Sequence, residues 1–202
     1  MNVILKELKS HSPFTGVGTI TGIVLMAVVV VLNVPKEISH GAFWTLHPLH
    51  VLISAWVTAG LYYINTNRAS LLKTIIVGYL GAVGIGTLSD CIIPYLGELL
   101  LSMPHAHHHI GFIEMWWLIN PMAIAGAIIG IKLPFTKYPH SGHVLLSTWA
   151  SLFHITMAMG STFDAIELVL ISAFLFLAVW LPCCVSDIVF PLLFVQSAAN
   201  NK

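Results

Sequence analysis

The sequence is poor in charge. Only 8% of its 202 residues are Asp, Glu, Lys or Arg, eight acidic against eight basic, too few to cover a water-soluble domain. With zero formal net charge and no basic patch, nothing marks a nucleic-acid partner. Three cysteines, Cys91, Cys183 and Cys184, do not make a disulfide framework, and an adjacent pair rarely bridges to itself. There is no Walker loop, Rossmann fingerprint or Gly-x-Ser-x-Gly elbow, so nucleotide and serine-hydrolase chemistry have no motif to rest on.

Apolar residues make up 57% of the chain. They gather into six runs, roughly 16–33, 43–63, 71–93, 110–131, 143–160 and 165–184. A bilayer takes about 20 residues of helix, so the runs predict an all-α integral membrane protein with six transmembrane helices. The joints between them, such as "NVPKEISHG", "NTNRAS" and "LPFTKYPHSGH", hold most of the Pro, Asn and charged residues. The first run ends in Asn33-Val34-Pro35-Lys36 rather than at a small-residue cleavage site, which reads as a retained span. Six spans place Lys6, Lys9, Arg68, Lys73, Lys132, Lys137 and Lys202 on one side and Lys36 alone on the other. That bias puts both termini in the cytoplasm. The expected location is a cell membrane, the inner one of a prokaryote.

The chain also repeats itself. "HPLHVLISAW" (47–56) matches "HSGHVLLSTW" (140–149) at His, His, Val, Leu, Ser and Trp, and "SDCIIPYL" (89–96) matches "SDIVFPLL" (186–193) at Ser, Asp, Pro and Leu. The second His precedes the Asp by 40 residues in one copy and 44 in the other. Two ordered matches at similar separation predict a duplicated three-helix unit, 1–103 and 104–202. An odd number of spans per copy inverts the second relative to the first, an architecture common in secondary transporters.

Eleven histidines make imidazole the dominant titratable group, which directs attention to metal or proton chemistry. On a helix His47, His50 and Ser54 share one stripe, as do His140, His143 and Ser147, continued by His154. A lone His-x-x-His is more simply a wet helix end, but its recurrence in register with Ser and Trp favours function. Asp90 and Asp187 are each followed four residues later by proline, Pro94 and Pro191, so broken helices are expected after each, with the carboxylate as a hard oxygen ligand. The competing reading makes each Asp a helix N-cap. The tract "MPHAHHHIGFIEMWW" holds His105, His107, His108 and His109 ahead of Glu114; it reads either as a cation-gathering loop or as a solvated cluster. The candidate metal ligands are therefore His47, His50, Asp90, His105, His107, His109, Glu114, His140, His143, His154 and Asp187.

Imidazole with carboxylate suits borderline divalent ions such as Zn, Fe, Mn, Co or Ni. The leading expectation is a secondary permease for a divalent transition-metal cation, with outer and inner His/Asp sets. Its partners are the metal ion as substrate and the lipid bilayer, and a homo-oligomer is compatible with it. The first alternative is a membrane metalloenzyme, such as a di-iron hydroxylase or desaturase or a zinc hydrolase. Against it, the six-span topology divides the histidines between two membrane sides. The second alternative is a haem-binding electron-transfer subunit with His50 and His143 or His154 as axial ligands.

Overall fold

A computed structural model describes residues 2–66, 70–134, 137–159, 165–185, 189–191 and 193–194. Among them every regular element is helical and there is no strand. Helix α1 spans Asn2–Val31, α2 Lys36–Asn65, and α3 Leu71–Thr87. A π-helical turn, Leu88–Ile92, joins α3 without interruption to α4, Ile93–Leu100. After a loop come the short α5 (Gly111–Glu114), α6 (Trp116–Lys132), α7 (Lys137–Ala158) and α8 (Ala165–Cys184).

Local chemistry sets the ends. Asn33 adopts φ 48° after α1, and the Val34 N–H returns to the Val29 carbonyl at 2.9 Å. That is a left-handed C-terminal stop of the kind glycine or asparagine supplies. Ser70 opens α3, its hydroxyl accepting from the Lys73 N–H, which satisfies one orphan donor of the first turn.

Helix α2 packs on α3, α6 and α7, and α7 packs on α1, α2 and α8. Helix α3 also meets α6, α1 meets α8, and α3 touches α8. Exchanging α1 with α6, α2 with α7 and α3 with α8 maps α2–α3 onto α7–α8, α2–α6 onto α1–α7 and α3–α6 onto α1–α8, and leaves α2–α7 and α3–α8 as they are. The apolar cores follow suit. Val51, Ala55, Ala59, Ala82, Ile119 and Ala127 form one between α2, α3 and α6, while Met26, Leu152, Ile155, Ile171 and Leu175 form the other between α1, α7 and α8.

Small residues bring the helices close. A Cβ added at Gly126 would collide with the Leu52 carbonyl oxygen, and one at Gly130 with that of Trp56, so α6 lies directly on the α2 backbone. Gly78, Gly81 and Gly86 of α3 likewise face neighbours, whereas Gly84 faces open space. Polarity is inside out. Val17, Ile20, Val24, Leu72, Ile76 and Leu80 are exposed, while His47, His50, Asp90, Glu98, His143 and His154 are 0–2% exposed.

Two expectations change here. Each apolar run contains a helix, but among the described residues only the rod Leu71–Leu100 is both long and apolar enough to cross a membrane. The apolar stretches Thr15–Val29, Trp116–Lys132 and Val169–Cys183 are shorter. Helices α2 and α7 are diluted by the polar residues they turn inward.

The expected break after Asp90 is absent, because the π turn absorbs the proline. The Ile93 N–H bonds the Leu88 carbonyl, five residues back, and Pro94 falls in the first turn of α4, where its ring and fixed φ are accommodated without ending the rod. In this register the carbonyl left without a backbone donor by Pro94 is that of Ser89. It accepts the Ser151 hydroxyl at 3.0 Å, so it is not an open oxygen ligand. Asp187, where the second break was expected, lies outside the described residues; Val185 and Val189 on either side of it are π-helical.

If backbone contact at Gly126 fixes the α2–α6 distance, Gly126→Ala is expected to cost about 1–3 kcal/mol through overpacking. Gly84→Ala should be nearly silent. Thermal melting in detergent checks the pair, and equal midpoints for the two variants would contradict the packing.

Candidate metal centre

The centre is built around Asp90, in the π turn. Its Oδ2 accepts from His50 Nδ1 at 2.6 Å and His47 Nδ1 at 2.9 Å. Its Oδ1 accepts from Ser147 Oγ at 2.7 Å and Ser89 Oγ at 2.8 Å. A carboxylate only accepts, so both rings carry hydrogen on Nδ1. The two imidazoles come from successive turns of α2, the carboxylate from the π turn, and the Ser147 hydroxyl from α7. All four side chains are buried.

His47, His50 and Asp90 are the one group of three or more metal-ligating side chains among the described residues whose donor atoms all lie within 4.8 Å of one another. Two hydroxyls saturate Oδ1 and leave Oδ2 to the rings. Such outer hydrogen bonds orient metal-ligating carboxylates. A cation entering the set would displace the hydrogens on Nδ1, which makes its binding pH-dependent.

His143 joins this centre from α7. Its ring lies edge-on to His50, with centroids 5.5 Å apart. The sequence topology assigned His143 and His50 to different membrane sides; the fold brings them into contact. His140 lies in α7, but its side chain is outside the described ones, and Asp187 is outside the described residues.

A second acid–imidazole pair was not singled out in the sequence. Glu98 of α4 is fully buried, and its Oε1 accepts from His154 Nδ1 at 2.6 Å. Its Oε2 accepts the backbone N–H of His107 at 3.3 Å. Asp90 and Glu98 are eight residues apart on α3–α4, yet their partners Ser147 and His154 are seven apart on α7. Seven residues return to one helix face, whereas eight in a pure α-helix would sit about 80° away. The extra residue is the one a π turn inserts. A lone Glu inside the apolar run "YLGELLLSM" was the available signal.

Phe43 stands between the two pairs. It stacks on His47 at 5.4 Å and meets His154 edge-on at 5.2 Å. His109 continues outward, its ring 5.4 Å from His154 and 4.8 Å from His107. Glu114 holds His109, accepting from Nδ1 at 3.2 Å and from the Ile110 N–H at 2.8 Å. Burial lowers the His109 pKa from the usual imidazole value, although Glu114 pulls the other way.

The loop between α4 and α5 is tied down by backbone bonds from Met103 to Glu98 and from His105 to Ala158. His105 and His108 are exposed; His108 stacks on His107, and neither reaches the buried centre. Cys91 packs with Phe43 and Ala150, and Cys183 with Val144 and Val179, so both fill space.

The chain matches no family model, no curated protein and no solved structure.

Removing Asp90 strands two buried imidazoles, whereas removing Ser147 costs one bond to a charged acceptor. Asp90→Ala is expected to lose about 3–5 kcal/mol and Ser147→Ala about 1.5–3 kcal/mol. Unfolding in detergent measures both. An undiminished stability for Asp90→Ala would refute the role of its carboxylate in holding the helices together.

Proposed function

We propose that this protein is a membrane-embedded secondary permease for a divalent transition-metal cation, bound at one centre formed by His47, His50 and Asp90 with His143 beside them. One observation carries the reading. Elements of both copies of the His-x-x-His motif meet at Asp90: the first copy contributes two imidazoles, and the second contributes Ser147 and the His143 ring. Transporters built from inverted repeats place their site at such a repeat interface, near the bilayer midplane. The exchange symmetry of the helix pairings and the matching π-helical residues at 88–92 and at 185 and 189 support the same duplicated plan.

The membrane setting rests on the apolar exterior and polar interior, together with the rod Leu71–Leu100. Six spans with cytoplasmic termini remain our topology. In this picture the ion exchanges for imidazole protons at the centre, and rocking of the two halves exposes it to either side in turn. The donor set suits Zn, Fe, Mn, Co or Ni and does not choose among them.

A second reading, a membrane metalloenzyme, gains from the same convergence, since an active site needs its histidines together. It predicts two tightly bound iron atoms and an oxidative turnover, or a zinc-dependent hydrolysis, in place of ion flux. A haem between His50 and His143 is disfavoured, because their direct edge-to-face contact leaves no gap for a macrocycle.

Uptake into liposomes, followed with each of the five ions, tests the permease. His50→Ala and His143→Ala are each expected to reduce flux roughly tenfold or more. Wild-type flux in both variants would rule the proposal out.

A further inference from the structure

The central centre uses neither Glu98 nor the histidine loop, yet both are built with care for ligand geometry. At Asp90 two rings share one carboxylate oxygen, so their donor atoms converge on it. Nearer the loop the arrangement differs, because each ring has a carboxylate of its own. His154 donates Nδ1–H to Glu98, and His109 donates Nδ1–H to Glu114. A carboxylate on one ring nitrogen is the usual partner of a histidine that binds metal through the other, fixing its tautomer and orientation. The remaining nitrogen of His154, Nε2, is buried and has no hydrogen-bond partner. An orphaned buried imidazole nitrogen costs free energy unless something binds there.

We propose that His154 and His109, with His107 from the same loop, form a second binding site for a divalent transition-metal ion, separate from the one at Asp90. Two imidazoles bound through nitrogen to one tetrahedral ion at about 2.0–2.1 Å have ring centroids roughly 5 Å apart. The observed separations are 5.4 Å for His154 with His109 and 4.8 Å for His109 with His107. The donor atoms of the three rings do not all lie within 4.8 Å of one another as the side chains stand; the ring of His107 is exposed, and the site closes when it turns to another rotamer. Glu98 is a positioning residue with two tasks: one oxygen orients His154, and the other holds the backbone of His107 above it. Water completes the coordination. The ligand is a borderline cation of the zinc, cobalt or nickel type, as three imidazoles demand.

Phe43 lies against both His47 and His154, so the two sites share contact with one aromatic ring. The outer site stands between the centre and the exposed end of the loop, where an arriving ion would first be held. This ordering rests on the permease reading; the existence of the second site does not.

Metal stoichiometry of the full chain in detergent tests the site. Protein stripped with a chelator is titrated with Zn2+ alone, passed through a desalting column and analysed for bound metal. Wild type is expected to hold two equivalents, and His154→Gln and His109→Gln one each. His50→Gln should lose the central equivalent and keep the outer one. Glu98→Gln is expected to weaken the outer equivalent by roughly 10–100-fold while leaving the central one in place. Titration with Co2+ adds a signature: the visible band of nitrogen-ligated tetrahedral cobalt should fall in His109→Gln.

His109 is only partly buried, so that variant carries the test even if His154→Gln fails to fold. One equivalent in wild type, or two in both His109→Gln and His154→Gln, would overturn the site. Failure of the permease is distinguishable, since it would show as absent ion flux with both equivalents still bound.

Discussion

The buried carboxylate of Asp90 is the constraint on which the architecture turns. A carboxylate withdrawn from water is costly unless its lone pairs are filled, and here four donors fill them. Those donors sit on α2, on α7 and on the π turn itself. Satisfying one side chain therefore fixes where three elements meet. Each half of the chain supplies part of the solution, and neither half alone supplies all of it.

The rest of the molecule accommodates that junction. Helix α2 is held on its other flank by α6, whose Gly126 and Gly130 allow backbone contact. Helix α7 is flanked by α1, where Trp149 Nε1 donates to Thr21 Oγ1 at 3.1 Å; the matching Trp56 donates to the Leu133 carbonyl at 2.8 Å after α6. The apolar cluster of α2, α3 and α6 and that of α1, α7 and α8 therefore bracket one polar seam. The seam continues through Phe43 to Glu98 and His154 because the π turn keeps both acids facing α7. A regular α-helix through the same residues would turn one of them away.

Much of the centre was legible in the chain itself. The pairing of His47 and His50 on one face follows from three-residue spacing, and the importance of Asp90 follows from its place in a repeated Ser-Asp-x3-Pro unit. His154 and His109 were recognisable as candidates by residue type, but their carboxylates were recognised unequally. Glu114 is five residues from His109, a spacing that reads as marginal in the sequence, with histidines of other helices the better candidates, yet His109 is the partner it takes. Glu98 is 56 residues from His154, and it has no equivalent in the second copy to draw the eye. Pro94 was a true signal of irregular backbone with an ambiguous outcome, since a break and a π turn begin from the same missing N–H.

What the sequence determined by itself was the helical class, the apolar exterior, the duplicated motif and the residue types able to hold a metal. These follow from periodicity and composition, which are local properties. Only the tertiary structure decided that His143 touches His50, that Ser147 serves the first copy's Asp90, and that Glu98 backs His154. Those pairings depend on which helix faces lie against each other, and one extra residue in the π turn set the phase that turns both Asp90 and Glu98 onto α7. No count of spans along the chain contains that rotation.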